Sequence, residues 1–572
     1  MNIFSDFKNK IIENLLLLKK KGLILLPENY ANFTIEIPKN KIHGDLSSNA
    51  PMVFAKINNT NPLNLANTIR DGLVNRLEKV TKIEIVKPGF INFFLNNDYW
   101  HQLLLSISEN YGKNPSVKKN KILLEFVSAN PTGPLHVGHC RGAVFGDVLG
   151  NLLKFSGNEV VKEYYVNDYG NQINNFVKSV YSRILEIKNK IPFPNDQDLY
   201  PGEYIIDIAK NIIKKNVNLH FDNYELIFIK LKNLCIEESM ILIKNDLNNL
   251  GIIHDSFVSE TKMANSNLIE KVFEKLKINN FIYKGTLPKP KGDEIEEWEP
   301  REQLLFKSTI FGDDSDRALK KSDGSWTYFA NDVVYHYDKI SRNFDLLINI
   351  LGADHAGYLK RQISCVNAMS DGKQKIISKV CQLVKLFKSG KQFKMSKRAG
   401  DFITANDLIK EVGKDSVRFM MLYRNNDSQL DFDFDLVSTY SKENPVFYVQ
   451  YAHARISSIF NKLNDESLNF EKIKISFLSH ESEIDLIKKI SEWPKCIDLS
   501  CLYFEPHRIP FYLYELASLF HSYWSLGNED ENLKVINSNK NIQDSRLFLL
   551  KKIQFILATG LKILNVNAPL EM

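Results

Sequence analysis

The sequence predicts a multidomain α/β protein with an α+β region at its N-terminus and an all-α region at its C-terminus. Three observations carry this. The chain has 572 residues, which suggests about three or four domains at roughly 100–200 residues each. Residues 122–127 form an apolar run, broken only by Glu125, that leads through a Pro/Gly loop into a helical pattern and a second apolar strand at 160–166. That is a β-α-β unit with a buried parallel sheet. From Ser441 to the end, the pattern is helical.

Residues 1–115 read as the first unit, with a helix over 7–20 and strands over 33–37, 82–86 and 90–95. Residues 114–120, which include Pro115, Lys118 and Lys119, read as a linker. Residues 116–385 hold the β-α-β unit. Its helix starts near Leu135, repeats Cys140, Val144, Val148 and Leu152 at i+4, and ends at Gly157. Residues from about 170 to 300 are mostly helical and read as an insertion. A second α/β half follows: a strand over 346–351, a loop over 352–357, a helix over 358–369 and a strand over 379–387. Residues 386–440 carry a cationic loop, and 441–572 form the helical unit.

Hydrophobic residues make up 44% of the chain and charged residues 25%, the mixture of a globular protein. A net charge of +6 is small for this length, so nucleic-acid contacts must come from local patches. The six cysteines form no Cys-x-x-Cys pair and have no His-rich run nearby, which argues against zinc and for a reducing compartment. The short apolar run at 15–18 leads into Lys19, Lys20 and Lys21 with no small-residue cleavage site, and no run of about 18 apolar residues exists. A cytoplasmic protein that does not engage a membrane is expected.

The loop after the first strand reads Ala129-Asn130-Pro131-Thr132-Gly133-Pro134-Leu135-His136-Val137-Gly138-His139. His136 and His139, three apart at a helix start, share one face. A helix start offers backbone N–H groups and the positive end of the dipole, which suits a phosphate. Gly138 removes a side chain where a nucleotide would lie close. Two histidines in a helix cap are the plainer reading of this loop alone. The second loop reads Phe393-Lys394-Met395-Ser396-Lys397-Arg398-Ala399-Gly400. Three cations there suit ATP phosphates whose charge develops in a transition state; a solvated basic turn is the plainer reading. His136 and Lys394 lie 258 residues apart, in successive α/β halves. In a doubly wound fold both loops meet at the carboxyl ends of the strands.

Three acids are candidates to meet a cation, and Glu125 sits just before the first loop. Glu125 interrupts an apolar strand, and a buried carboxylate is costly unless it meets a cation. Tyr328 and Asp332 stand at i and i+4, on one side of a helix start. Glu260 is a weaker third candidate. Carboxylates and acceptors of this kind surround a planar guanidinium well. Two alternatives remain open: Asp332 as a helix cap, and Glu125 paired with a structural lysine.

Together the loops resemble the HIGH and KMSK signatures of class I aminoacyl-tRNA synthetases, and the surrounding sequence resembles the arginyl family. Supporting stretches include Ile42-His43-Gly44-Asp45-Leu46, Lys87-Pro88-Gly89-Phe90-Ile91-Asn92-Phe93 and Glu163-Tyr164-Tyr165-Val166-Asn167-Asp168-Tyr169-Gly170-Asn171-Gln172. Tyr200-Pro201-Gly202-Glu203-Tyr204, Phe311-Gly312-Asp313-Asp314, Gly352-Ala353-Asp354-His355 and the run from Asn444 to Arg455 extend the likeness over nearly the full length. Ala356 and the C-terminal Pro569-Leu570-Glu571-Met572 depart from the family pattern.

The resemblance implies a Rossmann-like class I synthetase catalytic domain over 116–385, a KMSK and stem-contact region over 386–440 and a helical anticodon-binding domain over 441–572. It implies that the N-terminal domain contacts the elbow side of the tRNA. It implies catalytic roles for His136, His139, Lys394 and Lys397, and ATP contacts from Gly138, Met395, Ser396, Asp354 and His355. Arginine contacts fall to Glu125, Ser128, Asn130, His139, Tyr328 and Asp332. ATP with Mg²⁺, arginine and tRNA(Arg) are the expected partners of a monomer, with no zinc. Two rivals are another class I synthetase, such as the cysteinyl enzyme, whose zinc-binding cysteines are absent, and a non-enzymatic tRNA-binding relative, against which the intact histidines and lysines argue.

Residues 441–572 carry 15 Lys and Arg against 16 Asp and Glu, so composition alone does not suggest RNA there. Val449, Ala452, Ile456 and Ile459 make a core stripe, while Tyr448, Tyr451 and Arg455 occupy a neighbouring face. Aromatics with arginine suit unstacked RNA bases. A tyrosine-edged core is the alternative, and the resemblance to an anticodon-binding domain favours RNA.

Overall fold

Five parallel strands form the centre of the chain: Lys121–Glu125, Glu159–Val166, Ser256–Ser259, Leu346–Gly352 and Lys375–Cys381. The structure is a computed structural model that describes residues 2–572 except 75, 114–118, 265, 289–300, 323, 394–402 and 464–472. Lys394, Met395, Ser396 and Lys397, and most of the expected linker, therefore lie outside the described residues. The first strand sits in the middle of the sheet, flanked by the second and the fourth. The winding thus reverses between the first and fourth strands, and a ligand cleft is expected at their carboxyl ends. Ile122, Leu123 and Leu124 are buried, as an apolar run in a covered parallel sheet requires. Helix Val137–Phe155 follows this strand through the loop over 126–136. A Cβ at Gly146 would come within 2.3 Å of the Phe126 ring, so only glycine allows that approach.

Helices Asn171–Asn189, Glu203–Lys215 and Tyr224–Asn249 bury a cluster of their own that includes Phe176, Ile208 and Leu231. The stretch expected as a helical insertion over about 170–300 departs from that reading in its second half. Ser256–Ser259 rejoins the parallel sheet as its edge strand. Ile282–Gly285, Gln303–Phe306 and Arg317–Lys320 form a separate antiparallel sheet. Ser-Phe-Val-Ser is too short and too polar to announce a strand by periodicity. The strand expected over 379–387 divides into Lys375–Cys381, in the central sheet, and Val384–Lys388, which pairs with Lys391–Phe393 and Leu430–Asp433.

At the N-terminus, helix Ile3–Lys20 accompanies an antiparallel sheet of Ile35–Glu36, Leu46–Ser48, Phe90–Leu95 and Val80–Val86. Helices Pro445–Lys462, Glu481–Ser491, Trp493–Tyr503, Arg508–Glu529 and Lys540–Leu564 make up the C-terminal part. A buried node ties this bundle to the centre. Arg418 donates to the carbonyls of Leu564 and Leu250, each at 2.8 Å, and to Asp147 Oδ2 at 2.5 Å. Lys162 donates to the other oxygen of Asp147 at 2.6 Å. Among the described residues no helix is long and apolar enough to cross a membrane.

Candidate active site

A cleft of about 450 Å³ opens at the carboxyl ends of the central strands, where the winding reverses. Glu125, Ser128 and Asn130 line it from the first strand and its loop, and Glu260 from the end of the edge strand. Tyr328 and Asp332 reach it from helix Tyr328–Ser341, and His355 from the turn after the fourth strand. His136, Gly138 and His139 are not in its lining; they stand at the start of the helix beyond it. Asp354 is exposed, with Oδ2 at 3.4 Å from His355 Nε2.

The histidine loop is a cap. His136 is the N-cap residue: its Nδ1 accepts from the Gly138 N–H at 3.1 Å, and its own N–H donates to His139 Nδ1 at 3.3 Å. The two rings stack with centroids 3.8 Å apart. Since both Nδ1 atoms accept, the neutral rings carry their protons on Nε2. The capping hydrogen bonds use Nδ1 of each ring, so the cap reading is realised and does not by itself exclude the phosphate reading, although His136 Nε2 is buried. Gly138 has a nearer reason than a bound nucleotide: a Cβ there would lie 2.8 Å from His136 Cε1.

Glu125 ends its strand just before Val127 and Ser128, both in the left-handed region at φ 69° and 44°. That conformation is rare for such residues and marks a constrained turn. Ser128 Oγ donates to Glu125 Oε1 at 3.0 Å and accepts from the Tyr165 N–H at 3.1 Å. Asn130 Oδ1 accepts from Asn167 Nδ2 at 2.9 Å. Sheet register puts Glu163, Glu125, Asn349 and Ser378 in one row across four strands. Helix Tyr328–Ser341 supplies the cations. The fully buried Lys339 ammonium meets Glu125 Oε2 and donates to Asn349 Oδ1 at 2.9 Å. Arg342 forks onto Glu163 at 2.5 and 2.9 Å. The lysine alternative for Glu125 is thus realised, while Glu125 still borders the cleft.

The cap alternative for Asp332 fails. Thr327 caps the helix, with its side chain accepting from the Ala330 N–H, and Asp332 lies more than a turn inside. Burial raises the Asp332 carboxyl to about 7, with repulsion from Glu125 and Glu260 adding and Lys339 and Arg361 opposing. Glu260, also chiefly through burial, rises to about 7, although Asn331 Nδ2 donates to it at 2.7 Å. The two carboxylates, both raised by burial, line one cleft and have no ion-pair partner among the described residues.

Sequence reasoning missed Tyr165, Asn167, Tyr358 and Gln362 in the lining, and Lys339 beneath it. Lys339 had a signal: residues 328, 332, 335 and 339 follow each other by 4, 3 and 4 along one helix face. On helix Pro445–Lys462 the expected stripe Val449, Ala452, Ile456 and Ile459 is buried. Tyr448, Tyr451 and Arg455 are half-buried beside it. Arg455 Nη2 donates to Tyr451 OH at 2.6 Å, Tyr451 stacks on Phe447 at 5.4 Å, and Tyr448 packs on His521 at 4.4 Å.

Comparison with known proteins fits this geometry. The family described as "Arginyl tRNA synthetase N terminal domain" matches residues 7–95, "tRNA synthetases class I (R), catalytic domain" matches 101–456, and "DALR anticodon binding domain" matches 449–572. The arginine–tRNA ligase of Pelagibacter ubique is 52% identical over 579 residues, and that of Bartonella bacilliformis 45% over 591; each alignment covers 100% of both chains. The Thermus thermophilus arginyl-tRNA synthetase structure, at 18% identity, superposes over 100% of both chains with a TM-score of 0.76.

Proposed function

This chain belongs to the arginyl-tRNA synthetase family, and from that premise we propose that it activates arginine with ATP and transfers it to the 3′ end of tRNA(Arg). The observation that carries the reading is the pair Asp332 and Glu260, two carboxylates raised to about 7 in a cleft at the reversal of a parallel sheet. A guanidinium satisfies both. In the first step an arginine carboxylate oxygen attacks the α-phosphorus of ATP, and the bond to pyrophosphate breaks. In the second, a terminal ribose hydroxyl of the tRNA attacks the adenylate carbonyl and AMP leaves. Positioning and charge stabilisation carry both steps without a covalent enzyme intermediate.

In this reading Asp332 and Glu260 hold the guanidinium, with Tyr328 at the mouth. Glu125 and Ser128 shape the floor, and Asn130 stands where the reacting end would lie. His136 and His139 are assigned to the phosphates from their motif, at a helix start whose dipole favours anions. Asp354 or His355 approaches the ribose. Lys394 and Lys397, with Met395 and Ser396, are assigned to the phosphates from their motif. Mg²⁺ bound with ATP would offset the charge of its phosphates, and no role for zinc is proposed. A cytoplasmic location is in keeping with six free thiols, and a monomer is assigned from the family resemblance alone.

Pyrophosphate exchange with each standard amino acid, in the presence of total tRNA, tests the reading. Arginine alone should support exchange; exchange with another amino acid, or none, overturns it. Lys397→Ala should lower kcat of exchange about 100-fold while arginine affinity persists. A raised arginine KM with kcat intact would contradict its phosphate role. Tyr451→Ala should weaken tRNA use by about 1–3 kcal/mol, one lost base stack, and spare ATP and arginine binding. If it instead unfolds at ordinary temperature, Tyr451 belongs to the core.

A further inference from the structure

Leu135, just before the His136 cap, donates its backbone N–H to Asp246 Oδ2 at 2.7 Å. The other oxygen of Asp246 accepts from Asn406 Nδ2 at 2.6 Å. Three segments meet at this carboxylate. Asp246 lies near the end of helix Tyr224–Asn249, the third of the inserted helices. Asn406 lies in the first turn of helix Ala405–Val412, directly after the cationic loop. Backbone rungs join the same two loops: the Val137 N–H donates to Ile403 O at 3.2 Å, and the Ala405 N–H to Leu135 O at 2.8 Å. Asn406 Oδ1 in turn accepts from Asn249 Nδ2 at 2.8 Å, so the clip returns to the inserted helix.

A carboxylate is an expensive choice here. Asp246 is only 2% exposed and has no lysine, arginine or histidine at ion-pair distance among the described residues. Burial pushes its carboxyl up to about 6, against the Leu135 hydrogen bond and with Asp407 adding repulsion. A single acceptor for the Leu135 N–H could come from an asparagine without that penalty. What a carboxylate adds is acceptance from donors on two separate segments at once.

We propose that Asp246 is a positioning residue for adenylate formation, holding the histidine loop and the chain leaving the cationic loop in one fixed relation through the inserted helix. The inference rests on the reading of both loops as ATP-clamping elements. Displacements of about 1 Å between groups that act on one phosphate chain are enough to lower a rate about 100-fold.

The test is arginine-dependent pyrophosphate exchange at pH 8, with total tRNA present and melting temperature recorded for each protein. Asn406→Asp sets two carboxylates face to face. It should lower kcat about 100-fold and raise the ATP KM, with the arginine KM within about twofold of wild type. The exchanged pair, Asp246→Asn with Asn406→Asp, should restore kcat to within about threefold. In that pair, the amide oxygen at position 246 still accepts from Leu135, and the amide nitrogen donates to the carboxylate at position 406. An unaltered kcat in Asn406→Asp overturns the proposal. So does an exchanged pair as slow as Asn406→Asp alone, or a kcat loss that merely tracks the unfolded fraction. Absence of arginine-dependent exchange in the wild-type protein would instead overturn the functional reading itself.

Discussion

Asp332→Asn is expected to lower kcat/KM for arginine by several hundredfold or more, about 3–5 kcal/mol for breaking one partner of a desolvated ion pair. The amide keeps the carboxylate's size but removes its charge and turns an NH₂ donor toward a group that only donates. Citrulline, the neutral isostere, should lose much less, so the ratio between the two ligands should collapse. The fold should not suffer. With a carboxyl raised to about 7 by burial, Glu125 and Glu260, against about 3.9 in an unfolded chain, Asp332 holds a proton in the folded protein that the unfolded chain releases. Its contribution to stability is greatest below about pH 4 and is lost as pH rises toward 7. At pH 8 the ionised, buried carboxylate costs stability, so the asparagine variant should melt at or above the wild-type temperature there without added arginine. Arginine binding follows the opposite course. A cation favours the ionised carboxylates, so the wild-type arginine KM should rise as pH falls from 8 to 6, and part of that slope should vanish in the variant. A near-normal arginine KM in Asp332→Asn would move the guanidinium partner to Glu260.

Much of this site was legible before any coordinates because its signals are local. The β-α-β unit, the histidine cap and the i, i+4 pair Tyr328 and Asp332 are each set by residues within a few turns of one another. Glu125 was conspicuous as the one acid in an apolar strand. Its partner was not, because Lys339 lies 214 residues away and only the sheet register brings the two together. The same register aligns Glu163 and Asn349 with Glu125, which no single stretch of sequence announces. Asp246 was invisible for another reason: one aspartate in a 26-residue helix looks like any solvated position until the loops that it grips are folded against it. Ser256–Ser259 lacked the length and apolar character that mark a strand, and joins the sheet because Glu163–Val166 offers it an edge.

Lys339→Met is expected to destabilise the protein by about 3–5 kcal/mol, since it leaves the largely buried Glu125 without the cation that accompanies it. Methionine retains an unbranched stem of similar length, so packing against Tyr335, whose ring centre lies 4.2 Å from the Lys339 ammonium, changes little. What is lost is the ion pair and the donor to Asn349. The cleft also loses a positive charge, and the Asp332 carboxyl should rise further, because Lys339 opposes that rise in the wild-type protein. Arginine would bring the missing positive charge, so it should raise the melting temperature of Lys339→Met more than that of the wild-type protein. Glu125→Gln combined with Lys339→Met removes both charges and should recover most of the lost stability, as neutral replacements of buried pairs do. A single variant that melts like the wild type would show that the pair contributes nothing. The double variant then separates two roles for Glu125. If Asp332 and Glu260 read the guanidinium, its arginine KM should stay within about fivefold of the wild type, the scale of one neutral hydrogen bond. If Glu125 shares itself between Lys339 and the ligand, the KM should rise with the loss of a charged partner, on the order of a hundredfold, at unchanged stability.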